Sequence, residues 1–284
     1  MEILDWPFRG TEALAAGAVT PHRLRTHFEM VHRNVYIARG KKLTAVTRAI
    51  AAWLWSGRSA TAVGLSPAPL HRTGWIDDWL PAELNRRGRD KARDIISHSA
   101  CLDEDEVCVR DGIALTTPAR TAFDLGRRKG LTTAVIRLDA LTRATELKVA
   151  DVEMLAERHR GARGLIQLRQ ALPLVDAGAD SPYETRIRLL IIRSGLPAPQ
   201  TEIKVLDDRG AVAARIGMGW PECKVGVEFD SAGQWNNAAR SDAFDRSAEL
   251  EARGWTIVRV NTQTLKNRPD IVVTQVRHAL VRRT

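Results

Sequence analysis

AVAARIGMGWPECKVGVEFD, residues 211–230, is the stretch that decides how the last third of this chain folds. Two extended, β-branched runs (211–218 and 224–229) flank a turn at Trp220-Pro221-Glu222. Glu228 and Asp230 stand two residues apart in the second run, so a strand sends both carboxylates out of the same face. A pair of acids on one strand face is what a divalent cation such as Mg²⁺ needs, because it takes oxygen ligands and keeps several waters.

Outward from that stretch, the elements fall into a regular order. Ser181-Pro182-Tyr183-Glu184 reads as a capping box with proline at the first helical position, opening a helix over 182–194 that stops at Gly195. A strand at 200–206 is joined to the one at 211–218 through DDRG, a hairpin signal. After 230 come a loop, an amphipathic helix over 241–253 ended by Gly254, a strand at 255–260 and a last helix over about 269–282. The order is α-β-β-β-α-β-α, that of a restriction-endonuclease-like core. Glu184 reads first as a helix cap and second as a further acid for the Glu228/Asp230 centre. Asp245, Arg246 and Glu249 read as an ion-paired helix face.

At the other end, residues 9–17 predict a short helix closed by glycine. Thr20-Pro21 then caps a basic helix over 20–28 that carries His22, Arg23, Arg25 and His27. RNVYIARG predicts a short strand after it, ending in Arg39-Gly40 and followed by Lys41 and Lys42. Helix, turn, basic helix and strand resemble a small winged helix-turn-helix, in which a helix enters the major groove and flanking cations meet phosphates. Arg23, Arg25, Arg33, Arg39, Lys41 and Lys42 are the nucleic-acid-binding candidates.

Between the two lies a mixed region, 44–175. It predicts a helix over 44–56, a helix capped by Ser66-Pro67, strands at 94–99 and 106–110 around an acidic turn, a helix from Thr117-Pro118, and helices over 131–143 and 149–175. His71 and His98 read as structural, and Trp53, Trp55, Trp75 and Trp79 as packing residues. Asp176-Ala-Gly-Ala-Asp180 reads as a linker. The sequence thus predicts an α+β protein in three parts: a winged-helix-like 1–43, a mixed α/β 44–175, and a restriction-endonuclease-like αβββαβ domain over 176–284.

Composition limits the function classes. The 284 residues carry a net charge of +9, and arginine supplies 35 of the 43 basic side chains. Residues 1–175 hold 27 basic against 20 acidic side chains, so most of the excess lies ahead of the last third. Such a chain suits a polyanion, most simply DNA. No apolar run nears the roughly 20 residues of a membrane span, and no signal segment opens the chain, which predicts a cytoplasmic protein with no membrane partner. Cys101, Cys108 and Cys223 match no zinc spacing and no disulfide framework.

Residues 181–260, through SPYETRIRLL, ARIGMGWPECKVGVEFD, DRSAELEARGW and IVRV, resemble the very-short-patch-repair-endonuclease-like domain. Residues 8–40 and TTPARTAFDLGRR (116–128) are similar to the AbiEi-type antitoxin and transcriptional-regulator family, and the pairing is similar to a group of actinobacterial proteins. The resemblance implies DNA as partner, a cognate toxin protein as another, and Mg²⁺ at an active nuclease centre. It also implies aspartate on the second strand, Glu-x-Asp-Gly on the third and a histidine shortly after. This chain has Gly217 at the aspartate position, Glu228-Phe229-Asp230-Ser231 on the third strand and Gln234 at the histidine position. Glycine brings no ligand and glutamine no general base. The expectation is therefore a DNA-binding regulator or antitoxin-like protein whose nuclease-like domain is weak or silent, with a metal-dependent endonuclease using Glu184, Glu228 and Asp230 as the alternative.

Overall fold

The computed structural model describes residues 5–88, 90–207, 209–230 and 249–283. It is an α+β protein in two compact units, Met1–Pro173 and Leu174–Thr284. Ser231, Gln234, Asp245, Arg246 and most of the expected helix over 241–253 lie outside the described residues.

The first unit opens with β1 (Phe8–Arg9), α1 (Gly10–Ala15), α2 (Pro21–His27), β2 (Phe28–His32) and β3 (Val35–Ala38), in a sheet of order β1-β3-β2. Thr20 caps α2 by accepting from the Arg23 amide. Where the sequence predicts one strand after α2, there are two. Phe28–His32 pairs antiparallel with Val35–Ala38 across a two-residue turn, Arg33-Asn34. Asn34 holds a left-handed φ of 62°, and its Oδ1 accepts the Thr11 amide at 3.0 Å, tying the hairpin to the start of α1.

Next follow α3 (Ala45–Trp55), β4 (Thr61–Ala62), α4 (Pro67–Leu70), β5 (Ala82–Asn85), β6 (Ile95–His98), β7 (Val107–Arg110) and β8 (Ile113–Thr116). The five strands form a mixed sheet, β6-β5-β4-β8-β7. Four helices complete the unit: α5 (Pro118–Gly126), α6 (Leu131–Ala144), α7 (Val149–Arg158) and α8 (Leu165–Ala171). Two expectations are corrected here. The helix at Ser66-Pro67 lasts four residues, and the Ser66 hydroxyl does not cap it but accepts from the Glu83 amide at 2.7 Å. Trp75 and Trp79 are not core: they are 51% and 73% exposed, in an irregular segment where Arg72 and Trp75 take positive φ.

In the second unit, α9 (Pro182–Arg193) precedes β9 (Gln200–Leu206), β10 (Val212–Trp220), β11 (Val225–Asp230), β12 (Thr256–Asn261), α10 (Thr262–Asn267) and α11 (Pro269–Val281). The sheet runs β12-β11-β10-β9, with β11 and β12 parallel and the other neighbours antiparallel. Ile187 and Ile191 of α9 and Val272 and Val276 of α11 bury themselves against Val225, Val227, Val258 and Val260. A second cluster gathers Ile203, Val205, Ala214, Ile216, Leu250 and Trp255.

Two glycines on β10 differ in kind. A Cβ at Gly219 would meet the Val225 carbonyl oxygen at 2.2 Å, so the close approach of β10 and β11 requires glycine there. A Cβ at Gly217 would meet nothing nearer than the Glu184 carboxyl carbon at 3.6 Å, an ordinary contact. Gly219→Ala should therefore destabilise the second unit by about 2 kcal/mol or more, as forced overpacking does. Gly217→Ala should be neutral or gain up to ~1 kcal/mol, since glycine in a strand carries an entropic cost. Urea unfolding of the two variants, compared by midpoint, checks this ordering.

Candidate nucleic-acid interface and acid centre

The six basic candidates of the first unit divide into two groups. Arg39 donates from Nε to the Thr26 carbonyl at 3.2 Å and from Nη2 to those of Arg25 and Phe28, so it caps the C-terminal end of α2. Lys41 pairs with Asp5 at 3.2 Å and Lys42 with Asp78 at 2.9 Å. Arg23 and Arg25 are exposed on α2, whose one buried side chain is Leu24, and Arg33 is exposed at the tip of the β2–β3 turn. Among the described residues none of these three guanidinium groups has an ion-pair partner. Exposed Met30 on β2 adds an apolar side chain to the same hairpin.

The acids of the second unit are placed by α9, β10 and β11. Ser181 accepts from the Glu184 amide at 3.2 Å, as a cap should. The Glu184 carboxylate reaches back one residue beyond the box, accepting the Asp180 amide at 2.8 Å. The pairing of β10 with β11 runs from Trp220↔Val225 to Met218↔Val227. A Cβ at residue 217 would lie beside the Glu184 carboxyl group. Asp230 ends β11 with Oδ1 buried and without a hydrogen-bond partner among the described residues. Tyr183 and Phe229 stack with centroids 4.2 Å apart and planes 7° apart, pinning the first turn of α9 to β11.

Glu184, Glu228 and Asp230 are not gathered as a metal would need. The one set of three ligand-type side chains found within 4.8 Å of one another, among the described residues, is Asp103, Glu106 and His159 in the other unit. Among the described residues the acids of the second unit form no such set.

The Asp103–Glu106–His159 group was not legible as a cluster, because His159 is 53 residues from Glu106 in the chain. It is not a vacant seat for a cation either. Glu106 is 1% exposed, with one carboxylate oxygen held by His159 Nε2 at 2.5 Å and the other by the Arg120 guanidinium. Arg120 goes on to Asp124 at 3.2 Å, and Asp124 to Arg127 at 2.8 Å. Arg158, next to His159, pairs with Asp105 at 2.9 Å. A second buried carboxylate, Glu83, accepts from Arg128 Nη2 at 2.6 Å, His98 Nε2 at 2.9 Å and the Leu65 amide. Burial pushes both carboxyls up, but for Glu83 the His98 and Arg128 hydrogen bonds, and for Glu106 the His159 hydrogen bond and the Arg120 charge, outweigh it. Both are held below the ordinary glutamate value. These are charge-compensated struts that join strands to helices.

The chain is 28% identical over 173 residues to an uncharacterised protein of Mycobacterium tuberculosis, found in strains CDC 1551/Oshkosh and H37Rv. The match covers 60% of this chain and 63% of the relative's length. No protein-family model matches the chain, and no solved structure matches it. Among the described residues no helix is long and apolar enough to cross a membrane.

The depressed carboxyls give the first unit a defined acid response. A glutamate whose folded pKa lies below its unfolded one contributes stability above the unfolded value, and loses it as pH falls through the folded one. Melting followed by circular dichroism should hold level from pH 7 to about 5 and fall progressively below about 4.5. Glu106→Gln should cost about 2 kcal/mol at pH 7, because it removes one of the two carboxylates that Arg120 meets and leaves that guanidinium to Asp124 alone. The gap to the natural protein should narrow in acid; a constant gap would show that Glu106 acts through shape rather than charge.

Proposed function

We propose that this protein binds DNA through α2 and the β2–β3 hairpin. The observation that carries the reading is the division of the cations. Arg39, Lys41 and Lys42 are spent on the fold, while Arg23 and Arg25 on a short exposed helix and Arg33 on the adjoining hairpin tip are left to solvent. The order helix, turn, basic helix, hairpin, with its sheet of order β1-β3-β2, is that of a winged helix-turn-helix. The net charge of +9 supplies the attraction to a polyanion. On this reading the protein is a regulator or antitoxin-like DNA binder, for which a cognate toxin is the protein partner that the AbiEi resemblance implies.

The same proposal assigns the second unit a restriction-endonuclease-like ancestry with a silenced centre. Its strand order, the helix α9 ahead of the strands and the placement of Gly217 beside Glu184 support this. Gly217 is not required by packing, so a ligand is lacking at a position where the fold has room for one. A second reading, a divalent-metal endonuclease, draws on Asp230, whose buried Oδ1 has no partner among the described residues.

Binding of a fluorescent duplex by the full chain, titrated over salt, tests the first part. Each lost phosphate contact removes about 0.9 from the slope of log K against log salt. Arg23→Ala with Arg25→Ala and Arg33→Ala should lower the slope by about 2 to 3 and weaken binding at least tenfold. Lys41→Ala with Lys42→Ala should change the slope little. No affinity at low salt sinks the reading.

A supercoiled-plasmid nicking assay in Mg²⁺ or Mn²⁺ tests the second part. The natural protein should be silent and Gly217→Asp active. Cleavage by the natural protein that Glu228→Ala abolishes would establish the endonuclease reading in its place.

A further inference from the structure

A cleft of about 820 Å³ opens in the first unit, with no residue of α2 in its lining. Its walls are apolar and come from the start of the chain, α3 and α4: Trp6, Val46, Ile50, Trp53, Leu54 and Leu70. That volume is within the range of about 300–1,000 Å³ that small-molecule sites occupy, and an apolar wall with a few polar groups is their usual lining.

Two of the lining side chains point to the class of occupant. Arg72 and Arg110 stand in the same lining, and neither guanidinium has an ion-pair or hydrogen-bond partner among the described residues. Asp111 is the one acid in the lining, so the site carries a net positive charge.

We infer that this cleft binds a small amphipathic anion, a molecule with an apolar body seated on Ile50, Trp53 and Leu70 and a carboxylate or similar head group met by Arg72 and Arg110. A neutral apolar molecule would leave both cations unanswered, and a bare inorganic anion would leave the apolar walls empty. The inference stands apart from the DNA reading, since it uses none of the same residues.

Two dyes of one shape separate the contributions. 1-Anilinonaphthalene-8-sulfonate carries an anionic head on an apolar body, and N-phenyl-1-naphthylamine is the same body without the charge. The full chain should bind the sulfonate saturably at one site, with its near-ultraviolet circular dichroism unchanged, and decanoate should displace it. The uncharged dye should bind at least tenfold more weakly. Arg72→Glu with Arg110→Glu should reduce sulfonate affinity at least tenfold and leave the uncharged dye unaffected. Ile50→Trp, which fills the cleft, should reduce both. Equal affinity for the two dyes, or arginine variants that bind the sulfonate as the natural protein does, overturns the anionic class. Absence of saturable binding by either dye overturns the site.

Discussion

Neutralisation of two buried glutamates is the constraint around which the first unit is assembled. Glu83 and Glu106 are each 1% exposed, and an uncompensated carboxylate at that depth would cost several kcal/mol. Both are answered from one short segment. Arg120 of α5 takes Glu106, and Arg128, two residues past its end, takes Glu83. The remaining partners come from distant chain: His98 from β6, and His159 from just beyond α7. These pairs connect β5, the turn before β7, α5 and the end of α7. The sheet and the helices behind it therefore cannot be assembled in another register without stranding a charge. That specificity is the stronger benefit, because a buried ion pair on balance stabilises little against a well-packed apolar substitute.

Much of the backbone was legible because its signals are local. Caps at Thr20, Thr117 and Ser181, prolines at first helical positions and the Asp207 turn ahead of Gly210 each act within four residues, and the structure has an element where each one falls. The α+β class follows from the same signals. The misreadings occur where tertiary contacts win. Ser66 looks like a cap in sequence but spends its hydroxyl on the Glu83 amide from β5. FEMVH lacks the strict alternation of a strand, yet becomes one by pairing across the Asn34 turn. Trp75 and Trp79 look like core by composition, and only the irregular backbone of that segment leaves them outside.

Site residues were harder to read than elements, for a physical reason. A basic residue in a sequence is equally suited to a phosphate, a carboxylate or a helix end, and only geometry distinguishes them. Arg39 and Arg33 are six residues apart, yet one caps α2 while the other stands at a hairpin tip. The buried network was invisible for a related reason: its partners are separated by up to 53 residues, and no spacing rule reaches that far. The Glu228/Asp230 pair was legible because strand parity is local, whereas the position of Glu184 beside residue 217 required the packing of α9 on the sheet.

Gly217 and Gly219 show how one residue type can mean opposite things two positions apart. At 219 the neighbouring strand passes so close that no side chain fits, and glycine is the condition for the sheet to exist. At 217 there is room for a side chain, and the backbone gains nothing from its lack. A strand normally avoids such a residue, since glycine there forfeits both rigidity and packing. Packing therefore gives no reason for glycine at 217, and the reason has to be sought in the chemistry of the site. Beside the Glu184 carboxylate, an acid at 217 would be repelled unless a cation lay between the two. Glycine at 217 leaves the Glu184 carboxylate without a like charge beside it.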